Sequence, residues 1–277
     1  MPEIFQYDFM INAFIVGILI AIIIPCIGTV VVLRRLSIMG DALSHISLAG
    51  VAAGLVFGIN PILSAVVFAV IASLSIEKIR SKIPKYGEIS TAVMMSFGIG
   101  LAAILSGFVS SANFNSFLFG SLMAINRFEK YLVICLAVVV LTVFILMYRA
   151  LFYITFDEES ARLAGIPVKM ITMVFTVLTA VTISVSSRVV GTLVVSSMMV
   201  LPVAVSMQIA KSYKQTVVFS VLFSVFFVVS GLIFSFYLDL KPGGTIVMTG
   251  VISLVITLLA GKIPGSGRRK IALRGDD

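Results

Sequence analysis

Residues 9–33 read FMINAFIVGILIAIIIPCIGTVVVL, a continuous apolar stretch without a charged side chain. A helix needs about 20 predominantly apolar residues to cross a bilayer, so this stretch is long enough to span one. It is too long for the apolar core of a signal peptide and lacks a small-residue cleavage site, so we expect no cleavable signal here. The whole chain of 277 residues is 60% hydrophobic and 12% charged, with a mean hydropathy of +1.19. Soluble domains carry about 25% charged residues, so the composition indicates an integral membrane protein with several spans.

Similar apolar segments recur along the chain and predict an all-α, polytopic membrane protein of about eight to nine transmembrane helices, folded as a single domain over residues 1–277. The predicted spans are 9–33, 38–58, 60–77, 88–109, 130–148, 168–187, 190–210, 215–238 and 244–262. The shorter segment 114–126 is flanked by polar residues and predicts a re-entrant or partial helix, which is tolerated only where protein or water covers the backbone. Merging 190–210 with its neighbour, or promoting 114–126 to a full span, would change the count.

The distribution of positive charge predicts the orientation of the chain. The formal net charge is +8, and the Lys- and Arg-rich loops all fall on the cytoplasmic side if nine crossings begin with an external N-terminus. We expect the basic tail, residues 262–277, to contact anionic membrane lipid rather than nucleic acid. The chain has no G-x-x-x-x-G-K-[ST] motif, so it should not bind ATP by a P-loop, and no His-Glu-x-x-His motif of a metalloprotease.

The only histidine of the chain, His45, follows Asp41 by four residues inside the second apolar segment. Positions i and i+4 share a helix face, and ionisable groups at membrane depth by default mark an ion or substrate path. Zinc and manganese accept an imidazole and a carboxylate as ligands, so the pair is a candidate metal site. The alternative is structural: Asp41 caps the second helix and His45 bonds a backbone carbonyl. Two ligands are fewer than the four of a structural zinc site, which suits a transporter that must release its ion.

Two more features carry candidate functional residues. Three acids open a short segment within residues 150–167, and Gly165 and Pro167 close it, which predicts a short helix outside the bilayer. Without further information this helix is either an amphipathic connector or a contact for a partner ATPase. Hydroxyl groups and an acid within the spans are candidates for lining a path, and Glu88 could instead simply open its helix. These path-lining candidates are Ser44, Glu88, Ser196 and Ser197.

Three segments resemble one known family. Residues 34–45, RRLSIMGDALSH, closely resemble the signature of the zinc/manganese permeases of bacterial ABC importers, in which a basic turn leads into G-D-A-[LI]-[SA]-H. Residues 156–165 are similar to the cytoplasmic coupling segment of that family, and residues 191–202 are similar to its late G-x-L-L-V…P stretch. The length and number of spans agree, so the resemblance covers nearly the whole chain.

The resemblance implies a type II ABC importer permease in the bacterial plasma membrane. It implies a homodimer that works with a separate cytoplasmic ATP-binding subunit and an extracellular metal-binding solute-binding protein. Such a subunit would not be an enzyme by itself and would hold no permanent cofactor, and its cargo would be Zn²⁺ or Mn²⁺. By the resemblance Asp41 and His45 are the metal ligands. The residues expected to couple to the ATPase are Asp157, Glu158, Glu159, Ala161 and Gly165.

Several alternatives remain open at this stage. Zinc is placed ahead of manganese because imidazole suits zinc and manganese prefers oxygen ligands. A permease for a metal chelate, such as a siderophore or cobalamin, would need a wider path and no ligating pair. An ATP-independent carrier would use Asp41 and His45 as a proton relay. If the turn Arg34-Arg35 is at the cytoplasmic surface, Asp41 lies near the cytoplasmic mouth; if the turn is sunk into the protein, the site lies nearer the midplane.

Overall fold

The computed structural model of the chain describes residues 7–83, 87–109, 120 and 125–260. All regular secondary structure in these ranges is helical. The helices are α1 (Asp8–Leu33), α2 (Ser37–Val56), α3 (Pro61–Lys82), α4 (Gly87–Ser106), α5 (Arg127–Phe156), α6 (Glu158–Leu163), α7 (Val168–Val190), α8 (Thr192–Ile209), α9 (Tyr213–Leu238) and α10 (Pro242–Ala260). Within the described ranges, nine helices are long and apolar enough to cross a membrane, and α6 is the short one. The prediction of an all-α polytopic membrane protein is therefore confirmed.

Local sequence signals start the helices where the apolar segments begin. Asn60 precedes α3, and its side-chain oxygen accepts hydrogen bonds from the backbone N–H groups of Ile62 and Leu63 at 2.9 and 3.3 Å. Asn126 and Glu129 form a reciprocal capping box at the start of α5. Such caps satisfy N–H groups that have no partner inside the helix, which matters most where water is scarce.

The largest difference from the predicted spans is at α5. The apolar segment 130–148 predicts an end before Arg149, whereas the helix continues to Phe156. Hydropathy reports the part of a helix that lies in the bilayer, and nothing in the sequence after Tyr148 stops a helix from continuing beyond it. The predicted segment 114–126 lies outside the described residues except for Gly120, Ile125 and Asn126, and the basic tail lies outside them entirely.

Helices α1 and α2 form the centre of the bundle. Helix α1 packs against α9, α5 and α8, and α2 packs against α3, α4, α8 and α7. Most residues of α1 and α2 are buried, whereas α4 and α10 leave most of their residues facing outward. Small residues permit the closest contacts: a Cβ atom on Gly98 of α4 would lie 2.9 Å from the backbone nitrogen of Ile46 in α2.

Charged contacts mark the two ends of the bundle. Glu129, at the start of α5, pairs with Arg188 near the end of α7 at 2.9 Å. At the opposite end Arg34, in the turn between α1 and α2, pairs with Glu158 of α6 at 2.9 Å. The predicted orientation puts the first pair outside and the second inside, so each pair joins segments assigned to the same side of the membrane.

Candidate functional site

Asp41 and His45 lie one turn apart on α2, as the sequence spacing predicts. The His45 Nε2 and Asp41 Oδ1 atoms are 3.7 Å apart, which is ion-pair range but longer than a hydrogen bond. In the fully described stretch from Met39 to Gly54, these are the only two residues that are not buried. The Asp41 side chain is 44% exposed, and the His45 side chain is 22% exposed. Helix α2 is thus among the most buried helices of the fold, and between Met39 and Gly54 only its two ionisable side chains are accessible.

Asp41, but not His45, lines an open cavity of about 360 Å³ between three helices. From α2 come Ser37 and Asp41, and from α8 come Ser196 and Ser197. Both serine hydroxyls of α8 donate to the carbonyl oxygen of Leu193, at 3.3 and 3.1 Å, so their oxygen lone pairs remain available to accept. The rest of the wall is apolar: Val200 and Leu201 of α8 with Val247 and Val251 of α10.

Asp41 stands near the start of its helix. Helix α2 begins at Ser37, so Asp41 is in its second turn, and the turn before α2 pairs through Arg34 with Glu158 of α6. Asp41 thus lies one turn from the end of the bundle that carries α6. The cavity it lines extends along α8 and α10 as far as Val251, in the middle of α10.

The structural alternative for this pair is not supported. Helix α2 begins at Ser37 with Leu36 as its N-cap residue, so Asp41 stands inside the helix and does not cap it. In the described part of the chain, the polar contact of the His45 imidazole is Asp41, and it bonds no backbone carbonyl. Neither the Asp41 carboxylate nor the His45 imidazole therefore has a structural partner outside this pair.

The other path-lining candidates divide between the site and other places. Ser196 and Ser197 share the cavity with Asp41. Ser44 is 1% exposed, its hydroxyl has no hydrogen-bond partner among the described residues, and it does not line the cavity. Glu88 stands in the first turn of α4 and lines a different cavity of about 210 Å³, with Arg34 and Arg80. Asp41 and Glu88 are thus not brought together.

The described residues contain no group of three or more His, Cys, Asp or Glu side chains able to hold a metal ion. As a candidate metal site, the pair on α2 therefore offers two ligands from one chain. Its remaining coordination positions would be filled by water, by serine or backbone oxygens, or by a second copy of the chain. A site with few protein ligands binds weakly enough to release an ion, which a path requires.

The short helix predicted within 150–167 is present as α6. The Asp157 carboxylate accepts from the backbone N–H groups of Glu159 and Ser160, at 3.1 and 2.9 Å, and also from the Ser160 hydroxyl. That hydroxyl, helped by the backbone N–H bonds, holds the pKa of Asp157 below its usual range. Ala161 is buried against Ile154 and Val168. Gly165 follows with a φ of 78°, a left-handed conformation that ends the segment.

A family model described as the ABC 3 transport family matches residues 6–261, which is most of the chain. The chain belongs to the ABC 3 transport family. The resemblance seen in residues 34–45 is thereby confirmed, and with it a multi-pass membrane protein, which in bacteria is in the plasma membrane.

Named relatives of this ABC 3 family chain include transporters of different metals. A probable metal transport system membrane protein of Treponema pallidum (strain Nichols) is 35% identical, over 96% of this chain and 99% of the relative. The manganese import system permease protein ScaB of Streptococcus parasanguinis is 30% identical, over 91% and 90%. The high-affinity zinc uptake system membrane protein ZnuB of Haemophilus influenzae is 26% identical, over 91% and 98%.

Among solved structures, PsaBC from Streptococcus pneumoniae in complex with Fab has a chain that superposes on this one with a TM-score of 0.83. The two are 26% identical, and the match covers 92% of each. An ABC 3 permease fold therefore accounts for the whole described bundle.

Sequence reasoning missed part of the site. The α10 residues Val247 and Val251 are apolar members of an ordinary span, so no local signal assigns them to the cavity. The contact of Arg34 with Glu158 was also missed, although both residues lie in the segments that carry the family resemblance. The sequence assigned Arg34 to a basic turn of the family signature and gave it no partner, whereas the structure places its side chain, 12% exposed, in an ion pair.

Proposed function

We propose that this chain is the membrane permease of an ABC importer for a divalent transition metal, with Zn²⁺ ahead of Mn²⁺. The observation that carries the proposal is that Asp41 and His45 are the two residues left open along the buried stretch of α2. The membership of the ABC 3 family and the metal-transporting relatives support the same substrate class. Zinc is favoured because imidazole is a good ligand for it, whereas manganese prefers oxygen ligands.

The proposed cycle uses three parts of the chain. An extracellular solute-binding protein delivers the ion, which reaches Asp41 and His45 and is held there transiently. Helix α6 docks on a cytoplasmic ATP-binding subunit, and closure of the ATPase pair changes the permease from outward-open to inward-open. Metal binding competes with protons for the imidazole and the carboxylate, so uptake should weaken in acid.

We further propose that the working unit is a homodimer. A C2 dimer whose axis runs beside this part of α2 would bring two Asp41/His45 pairs together and give four ligands. Four protein ligands is the usual number for zinc in proteins. A metal-loaded importer in which each ion contacts one copy only would count against the shared site while leaving transport itself intact.

Radiotracer uptake tests the proposal. Cells lacking their own zinc and manganese importers would express the permease with its partner subunits, and ⁶⁵Zn and ⁵⁴Mn uptake would be measured at equal membrane abundance. Asp41→Asn and His45→Gln should each abolish most uptake, whereas the control Asp8→Asn, an exposed acid at the start of α1, should not. Normal uptake by both site variants would refute the metal site.

The same experiment separates the two remaining alternatives. A chelate permease needs no ligating imidazole, so His45→Gln would leave uptake of a metal chelate unchanged. An ATP-independent carrier would work without the ATP-binding subunit, and affinity purification of the permease would recover no ATPase. Uptake that requires the ATPase and both ligands would leave only the metal importer.

A further inference from the structure

The turn between α1 and α2 is in direct contact with α6. The Arg34 Nη2 and Glu158 Oε2 atoms are 2.9 Å apart, a charge-assisted hydrogen bond across 124 positions of sequence. The Arg34 side chain is 12% exposed and that of Glu158 is 45% exposed, so the pair is partly shielded from water. Because the Glu158 carboxylate remains close to half exposed, the contribution of this pair to stability is modest, and its importance lies in which segments it joins.

Arg34 lies among several other charged side chains. Burial lowers the pKa of its guanidinium, and the nearby Arg80 acts in the same direction, while Glu158 and Glu77 oppose them. An arginine remains protonated in proteins, so Arg34 keeps a full charge that needs an anionic partner. Glu158 supplies it directly. The second cation near Glu158 is Arg162, one turn along α6, at a longer distance of 3.4 Å.

The path from Arg34 to the metal-site residues is short and stiff. Arg34 ends α1, Arg35 has a φ of 59°, and the Leu36 N–H donates to the carbonyl of Val31 at 2.8 Å, which closes the turn. Helix α2 begins at the next residue, and Asp41 follows in its second turn. Because only this hydrogen-bonded turn separates Arg34 from α2, a displacement of Arg34 also displaces the first turns of α2.

We propose that the Arg34–Glu158 ion pair is the direct link by which α6 positions α2 and hence the Asp41/His45 site. Arg34 and Glu158 are positioning residues and do not contact the ion. The hydrophobic contacts of Ala161 attach α6 to α5 and α7, whereas this pair attaches it to the turn that leads into α2, the helix of Asp41 and His45. The inference rests on the proposed function, because it specifies how the coupling role of α6 reaches the site.

The number of zinc ions transported per ATP hydrolysed tests this link. The permease, assembled with its ATP-binding subunit and reconstituted in liposomes with the metal-delivery protein, would be assayed with ⁶⁵Zn and ATP. Arg34→Gln and Glu158→Gln should each lower this ratio about two- to fivefold, the change expected when an equilibrium loses an ion pair with one exposed partner. Arg34→Gln should still copurify with the ATPase and hydrolyse ATP, because Arg34 is outside the segment assigned to ATPase docking.

Three further variants make the test specific. Arg162→Gln removes the other cation near Glu158 without touching the turn before α2, so it measures any loss caused by altered docking of α6 alone, and that loss should be smaller than the loss in Arg34→Gln. Arg34→Lys keeps the charge and should retain most of the wild-type ratio. The double charge swap Arg34→Glu/Glu158→Arg should recover at least half of the loss, because the pair is restored with reversed polarity.

The outcomes are separable. A normal ratio in both single variants overturns the link, as does a loss that Arg162→Gln reproduces in full or that the charge swap leaves unrelieved. If the wild-type complex transports no metal on ATP, the proposed function fails, and this inference fails with it. Transport by the wild type with a larger loss in Arg34→Gln than in Arg162→Gln supports both.

Discussion

The contact of Gly98 with Ile46 predicts that one added methyl group on α4 will disturb the neighbouring metal-site helix. A Cβ atom on Gly98 would lie 2.9 Å from the nitrogen and 3.0 Å from the Cα of Ile46, the residue after His45. Contacts closer than 3.4 Å are tighter than nearly all real ones. Backbone atoms cannot rotate away as a side chain can, so α4 and α2 would have to separate by about 0.5 Å, the shortfall between 2.9 and 3.4 Å.

This shift is large enough to matter for stability and for the site. Overpacking of a close contact costs about 1–3 kcal/mol, and the better helix propensity of alanine offsets roughly 0.5–1 kcal/mol of it. The side chains of a functional site have to be held within about 0.5 Å of their working positions, so a shift of this size reaches the limit. Gly98→Ala should therefore lower the melting temperature of the purified permease and reduce ⁶⁵Zn uptake several-fold at equal abundance.

Gly100 on the same helix is the matched control. A Cβ atom there would meet nothing within 4 Å, so Gly100→Ala gains the same helix propensity without the contact. Its uptake and melting temperature should equal or slightly exceed those of the wild type. Wild-type behaviour of Gly98→Ala, or equal losses in the two variants, would refute the argument that the α2–α4 contact fixes the site.

Three other predictions concern a cap, an ion pair and an interhelical hydrogen bond. The pKa of Asp157 is depressed in the fold, so its cap stabilises α6 at neutral pH and is lost as the pH falls through that depressed value; the protection factors of the α6 amides in hydrogen exchange should fall there. Glu129→Gln should destabilise the protein by about 1.5–3 kcal/mol, since the Glu129 carboxylate is 6% exposed and bonds Arg188 at 2.9 Å; thermal melting measures this. Ser47→Ala should cost about 0.6 kcal/mol, measured the same way, because the buried Ser47 hydroxyl lies 2.8 Å from that of Ser184.

Matched variants control the last two predictions. Glu159→Gln removes an exposed carboxylate of α6 and should not change the melting temperature. Ser96→Ala removes an exposed hydroxyl that bonds only within its own helix, to the carbonyl of Ala92 at 3.0 Å. If these controls destabilise the protein as much as Glu129→Gln and Ser47→Ala do, the buried partners are not the cause.

The spans could be predicted from the sequence because the bilayer imposes one dominant requirement, an apolar segment of sufficient length. The same rule says nothing about where a helix ends in water, which is why the continuation of α5 from Arg149 to Phe156 was missed. The pairing of Asp41 with His45 could also be predicted, because an i, i+4 spacing fixes two side chains on one helix face without any tertiary information.

The surroundings of the pair could not be predicted in the same way. Ser196 and Ser197 were candidates only because they are polar, and Val247 carries no signal at all. Which of these faces Asp41 depends on how α8 and α10 cross α2, and that is decided by packing between distant segments. Glu88 illustrates this dependence: it is polar and lies within a span, but it lines a different cavity from Asp41, so its role in a path stays a prediction.

The two ligand types of the pair do not by themselves decide between zinc and manganese. One imidazole and one carboxylate satisfy either ion, and the affinity order of divalent metals favours zinc at almost any such site. Relatives named for zinc and for manganese share this chain's length and family. In a member that has this pair and prefers manganese, the preference must therefore come from ligands beyond the pair, from a second copy of the chain, or from the protein that delivers the ion. Measuring uptake of both ions with the delivery protein exchanged would distinguish the last source from the first two, because only a preference set at delivery would change with the exchange.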